Sequence, residues 1–188
     1  VPQEPEVLAL LALMLLHDAR RATRIGADGA MIPLEEQDRT RWNRDAIDAG
    51  LELLARALAF RSRGPYQVQA AIAALHAQAA RAEDTDWKQI AALYGGLLRE
   101  QPNAVVELNA AVALAMAEGV QQGLAWIEQL DARDELQGYH LLHAARADLL
   151  RRLGQDAPAR EAYRCALALV RNDAERRYLQ RRLLECGG

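Results

Sequence analysis

His140 and His143 stand three residues apart in a segment whose apolar spacing predicts a helix, so both imidazoles would project from one face towards a common divalent cation. A metal needs further ligands, and neither an HExxH pattern nor a nearby cysteine pair accompanies these two. The face Tyr139, His140, His143 and Arg146 is expected instead to pack on the preceding helix or to meet a partner. His17 and Asp18 close the first apolar segment, where His17 is expected to hydrogen-bond the last carbonyls and meet the negative end of the helix dipole. A general base there would need a nucleophile or pocket that the sequence does not show. Glu35, Glu36, Asp38, Asp45 and Asp48 spread round the helix expected for them and interleave with Arg39, Arg41 and Arg44, which reads as a salt-bridged solvated face. No glycine-rich phosphate loop, GxSxG elbow or CxxC motif is present, so no catalytic residue, metal or cofactor is expected, and the chain does not read as an enzyme.

These residues need elements to hold them, and the hydrophobic periodicity supplies helices almost throughout. Pro5 opens a first helix to about Arg24, apolar nearly all round and therefore expected to be buried. Asp28-Gly29 signals a tight turn or small hairpin, and a long helix is expected from about Glu35 to Arg61. Gly64-Pro65 breaks the chain before a helix from Tyr66 to Ala80. Asp84 or Thr85 then caps a helix carrying Trp87, Ile90, Tyr94 and Leu98. Asn103 is the expected cap of the next helix, Gly119 its end, and a short helix through Leu130 follows. The last pair is expected from about Glu135 to Leu153 and from Ala157 to Val170, with Asn172 and Glu175 resembling a capping arrangement for a closing helix.

Gly154, Ala159, Tyr163 and Ala166 fall at the offsets of a tetratricopeptide helix pair: glycine turns the chain, the alanines let helices touch, and the tyrosine fills the gap between them. His143 replaces the tryptophan that usually opens such a repeat. Helix pairs 66–98, 104–130 and 135–170 recur about 34 to 40 residues apart, the spacing of such repeats. The fold class expected is all-α, a tetratricopeptide-like α-solenoid with two additional N-terminal helices. The organisation expected is one helical domain, with N-terminal helices and a connecting hairpin or loop in 1–62, three helix pairs in 63–170, and a closing helix and tail in 171–188.

Composition agrees, since a chain rich in Ala, Leu and Arg with one phenylalanine favours helices over strands. The net charge of -3 gives the whole molecule no electrostatic call to nucleic acid or acidic lipid. Charge is uneven, however. From Arg146 to Glu185 ten arginines face six acids, which is expected to form an arginine-laced solvated face. Trp42, Trp87 and Trp126 are expected in the core, and only Tyr178 among Arg176, Arg177, Arg181 and Arg182 hints at base stacking. Two cysteines far apart suggest neither a disulfide framework nor a zinc knuckle, and a reducing cytoplasm fits. The apolar run from Val7 to Leu16 is too short to span a bilayer. The Pro-rich VPQEPE lead-in suggests a domain cut from something longer.

Taken in order, the strings LALMLLHDARR, EEQDRTRWNRDAI, GPYQVQAAIAALHAQA, TDWKQIAALYGGLL, VVELNAAVALAMAEG and GYHLLHAARADLLRRLGQDAPAREAYRCALAL cover nearly the whole chain. They resemble the carboxy-terminal extension of extracytoplasmic-function (ECF) RNA polymerase sigma factors that carry a tetratricopeptide-like tail. The resemblance implies a cytoplasmic regulatory domain that modulates transcription initiation by contacting the sigma regions of the same polypeptide or the polymerase core. Those sigma regions would lie upstream and are absent here, so the chain alone is expected neither to recognise a promoter nor to bind a membrane. The resemblance brings no catalytic residue. Among the positions in its most distinctive strings, Gln67, Gln69, His76, Asn109, Tyr139, His140 and His143 are the candidate protein-binding residues. The polar ones on otherwise apolar helices either satisfy buried groups or line a concave groove. A free-standing tetratricopeptide-like adaptor for peptides is the alternative reading.

Overall fold

Nine α-helices account for most of the described residues, 4–187, of the computed structural model, and no extended strand occurs among them. The all-α expectation therefore stands. No helix of the described residues is long and apolar enough to cross a membrane. The contacts divide the chain into two compact units, 1–24 with 32–86 and 25–31 with 87–188, where the sequence reading takes one domain. The expected helix pair 66–98 is split by that division, its first helix in one unit and its second in the other.

The first unit holds α1 (Pro5–Asp18), α2 (Arg44–Ala59) and α3 (Pro65–Gln78), with α1 packed on both partners and α2 on α3. Proline stands at the first turn of α1 and of α3, where its missing N–H costs no hydrogen bond. The first turn of α3 is closed from outside: the Glu6 carboxylate accepts the backbone N–H groups of Tyr66 and Gln67 at 2.9 and 3.1 Å. Gly64 makes room for that carboxylate, since a Cβ there would lie 2.2 Å from its carbon. Ala12, Leu16, Trp42, Ile47, Leu54, Ala70 and Ala74 form the core.

Two expectations fail here for local reasons. The segment read as the start of a long helix at Glu35 is two separate 3-10 turns, Leu34–Glu36 and Arg39–Arg41, and α2 begins only at Arg44. Asp38 accepts the N–H of Thr40, and Asn43 accepts that of Ala46, so two side chains offer the backbone local partners and stop the helix from running through. The first helix ends at Asp18 rather than near Arg24, with a 3-10 turn following at Arg21–Thr23, and it is not buried all round. Val7, Leu11 and Met14 are 44%, 38% and 60% exposed.

The second unit contains α4 (Trp87–Glu100), α5 (Ala104–Ala117), α6 (Val120–Asp131), α7 (His140–Arg152), α8 (Asp156–Leu169) and α9 (Asp173–Glu185). Each helix packs on the next, and α5 also meets α7. Asn103 caps α5 by accepting from Val105 and Val106, and Asn172 caps α9 by accepting from Ala174 and Glu175, both as expected. The helix expected from Glu135 begins at His140. Asp134, at φ 58°, turns the chain first. Gly154, at φ 70°, ends α7 in a Schellman arrangement, with Gln155 N–H donating to Leu150 and Gly154 N–H to Arg151. Ala159, Tyr163 and Ala166 are buried beyond it. Gly123 lets α6 approach α5 closely, because a Cβ there would stand 2.3 Å from that of Ala115.

Residues 25–31 form the anticipated tight turn, closed by an antiparallel bridge between Ile25 and Met31 with Gly29 at φ 75°. This turn is bound to α9: Met31 N–H donates to the Ala174 carbonyl and Arg177 to that of Asp28, both at 2.9 Å.

Candidate functional sites

The seven candidate binding residues do not form one site. Gln67, Gln69 and His76 belong to the first unit, and Asn109, Tyr139, His140 and His143 to the second. Gln67 is buried, with its amide 3.4 Å from the hydroxyl of the exposed Ser62. Gln69 and Asn109 are exposed, on α3 and α5. His140 alone of the seven lines a cleft of ≈ 590 Å³, bordered by Gly138, the end of α8 and the start of α9. There the Glu175 carboxylate lies 3.0 Å from His140 Nε2, a contact that becomes an ion pair when the ring is protonated. The expected capping partner of Asn172 is thus turned towards another helix. Tyr139 packs its ring at a tilt against His140, with centroids 6.0 Å apart. No group of three or more His, Cys, Asp or Glu side chains among the described residues is placed to hold a metal ion.

The arginine-rich end is largely paired within itself. Arg151 and Arg152 both meet Asp148 at 2.7 Å, Arg164 meets Glu161, and Arg182 meets Glu185. Arg176 is turned onto the carbonyls of Leu167 and Val170 at the end of α8. The lacing expected from the sequence is present, but the face is not solvated throughout, because Arg182 is buried. Burial works to raise the Asp148 carboxyl, yet the hydrogen bonds from Arg152 and Arg151 outweigh it and hold the group below its ordinary range.

A second cluster, which the sequence reading did not assemble, gathers where α1 and α3 end in the first unit. Arg24 donates to the His17 carbonyl and so takes the role at the end of α1 that was expected of the His17 ring. The His17 ring instead lies 3.3 Å from the Arg20 guanidinium through Nδ1. Arg39 is 6% exposed, stacks over the Trp42 ring at 4.7 Å, and donates to the carbonyls of His76 and Ala79 at the end of α3. Trp42 in turn donates to Thr23, which donates to Gln37, whose amide reaches the Ile32 carbonyl. Burial, then the charges of Arg20 and Arg39 and the His17 ring, lower the His76 imidazole to about 4. At His17, burial and then the charges of Arg20 and Arg24 likewise lower the imidazole to about 4. The signals were present as HDARR and DRTRW, yet nothing local says that residues 17–24, 39 and 76 meet.

A third feature is the stripe Val7, Leu11 and Met14, exposed at positions i, i+4 and i+7 of α1. Large apolar side chains in such a row on the surface mark a contact face.

Residues 1–58 match a family described as a family of unknown function (DUF6596). The chain is 46% identical over 182 residues to Uncharacterized protein R00370 of Rhizobium meliloti, an alignment covering 97% of this chain and 43% of that protein. The chain thus spans less than half the length of this relative. No solved structure matches.

Proposed function

We propose that this chain is a regulatory protein-interaction region of a bacterial ECF sigma factor, contacting sigma regions of the same polypeptide or the polymerase core. Its second unit is read as the tetratricopeptide-like part, supported by the packing of each helix on the next and by the Gly154, Ala159, Tyr163, Ala166 arrangement. The observation that carries the proposal is the exposed apolar stripe of α1, a face suited to a helical or apolar partner surface. The more than twofold greater length of the Rhizobium relative leaves room for further domains in a protein of this kind. Contact with one arrangement of the sigma regions over another would shift the balance between active and inactive factor.

The test is a binding titration of this chain against the sigma regions encoded upstream in the native gene, and separately against core polymerase. Saturable binding to either, at least tenfold weaker with Leu11→Ser and Met14→Ser combined and unchanged with Leu184→Ser on α9, is the expected result. Binding to neither would move the reading to a free-standing peptide adaptor. Binding indifferent to the double substitution would place the contact elsewhere than on α1.

A further inference from the structure

The basic cluster of the first unit carries more positive charge than its surroundings offset. Arg24 and Arg39 point into the ends of α1 and α3, and each helix end acts as roughly half a negative charge. Arg20 adds a third guanidinium, 3.3 Å from the His17 ring. Two helix ends offset about one of the three charges, and Asp84, which shares Arg81 with Glu83 and acts on Arg39, offsets part of a second, so that about one remains, on Arg20. The nearby carboxylates are already engaged. Asp84, whose charge Arg39 feels, is held by Arg81 in a two-pronged pair at 3.0 Å, Asp38 caps its own turn, and Asp18 lies 3.8 Å from Arg21. Arg39 also keeps a buried Nε without a hydrogen-bond partner. Loss of hydration, then the charges of Arg24 and Arg39, lower the Arg20 guanidinium to about 10. An uncompensated, partly desolvated cation cluster of this kind costs free energy until an anion neutralises it.

We infer that Arg20, with Arg24, Arg39 and the imidazoles of His17 and His76, forms a binding site for a doubly charged oxyanion of the phosphate class. Arg20 supplies the charge that no helix end claims, and the two rings supply neutral donors beside it. Burial, then the guanidinium charges, hold both rings neutral, and a bound dianion would favour their protonated form, so protons are taken up as the anion binds and affinity rises as pH falls from 8 to 5.5. The site is independent of the sigma-factor reading, because it is tested on this chain alone.

The experiment is isothermal titration of the whole chain with sulfate, whose charge is constant over that pH range, at low ionic strength. Saturable one-to-one binding is expected, weakened at least tenfold by Arg20→Gln and unchanged by Arg56→Gln on the exposed side of α2. Tighter binding at pH 5.5 than at 8 is the second expected result. Titrations with inorganic phosphate and glycerol 3-phosphate then separate the source: equal affinity assigns the free ion, tighter binding of the ester a phosphate monoester, and either supports the site. Absent binding to all three, or equal loss in Arg56→Gln, overturns the inference. Circular dichroism of Arg20→Gln must match the parent for its loss of binding to count.

Discussion

His76 shows how one side chain ties stability to pH. Its imidazole is held near 4 in the folded chain against 6.5 for an unperturbed histidine, so the unfolded chain binds a proton that the folded chain refuses between those values. Its neutral state is therefore no handicap above pH 6.5, and stability falls as pH drops below 6.5 until the folded ring itself protonates near 4. Thermal melts of His76→Gln are expected to show a shallower loss across that window than the parent, with the two converging less steeply towards pH 4. Parallel curves would mean that the ring titrates normally. Asp148 acts lower on the scale: its carboxyl, depressed by Arg151 and Arg152, adds stability at neutral pH that disappears only as pH falls through its folded value.

At the scale of elements, caps and close approaches decide where helices stop and how near they come. Asn103 accepts two backbone N–H groups at the start of α5, so Asn103→Ala is expected to lower stability by about 1 kcal/mol in denaturant titrations. Gly123→Ala is expected to cost more, about 1–3 kcal/mol, because the new methyl would meet Ala115 and the Ala111 carbonyl, a backbone atom that cannot swing away. A neutral result would require α6 to shift outward. Helix existence was legible in the sequence wherever cap and periodicity agreed, as at Asn103, Gly154 and Asn172. It failed at 35–43, where Asp38 was read as charge on a helix face and Asn43 was not read as a cap, although each supplies a local acceptor that interrupts the helix. The first helix was misread for a different reason: apolar content predicts what water disfavours, not whether enough neighbouring surface exists to cover Val7, Leu11 and Met14. The cluster of His17, Arg20, Arg39 and His76 escaped notice because its members are joined by the packing of α1 on α3, which no spacing in the chain records.

For the molecule as a whole, the two units draw their cores from separate residues, Leu16, Trp42 and Leu54 among those of one and Ile127, Leu142 and Tyr163 among those of the other. Hydrogen exchange on Gly123→Ala is accordingly expected to speed first in α5 to α7, with α1 to α3 little changed; uniform acceleration would reveal one cooperative structure. The turn at 25–31 complicates any attempt to treat these units as separable cassettes. The polypeptide enters the second unit for seven residues, held to α9 through Met31 and Arg177, and returns to finish the first. No single cut in the gene yields either unit entire. Shuffling by recombination at one breakpoint would strand the turn without α9 or α9 without the turn, so the two units must be inherited together.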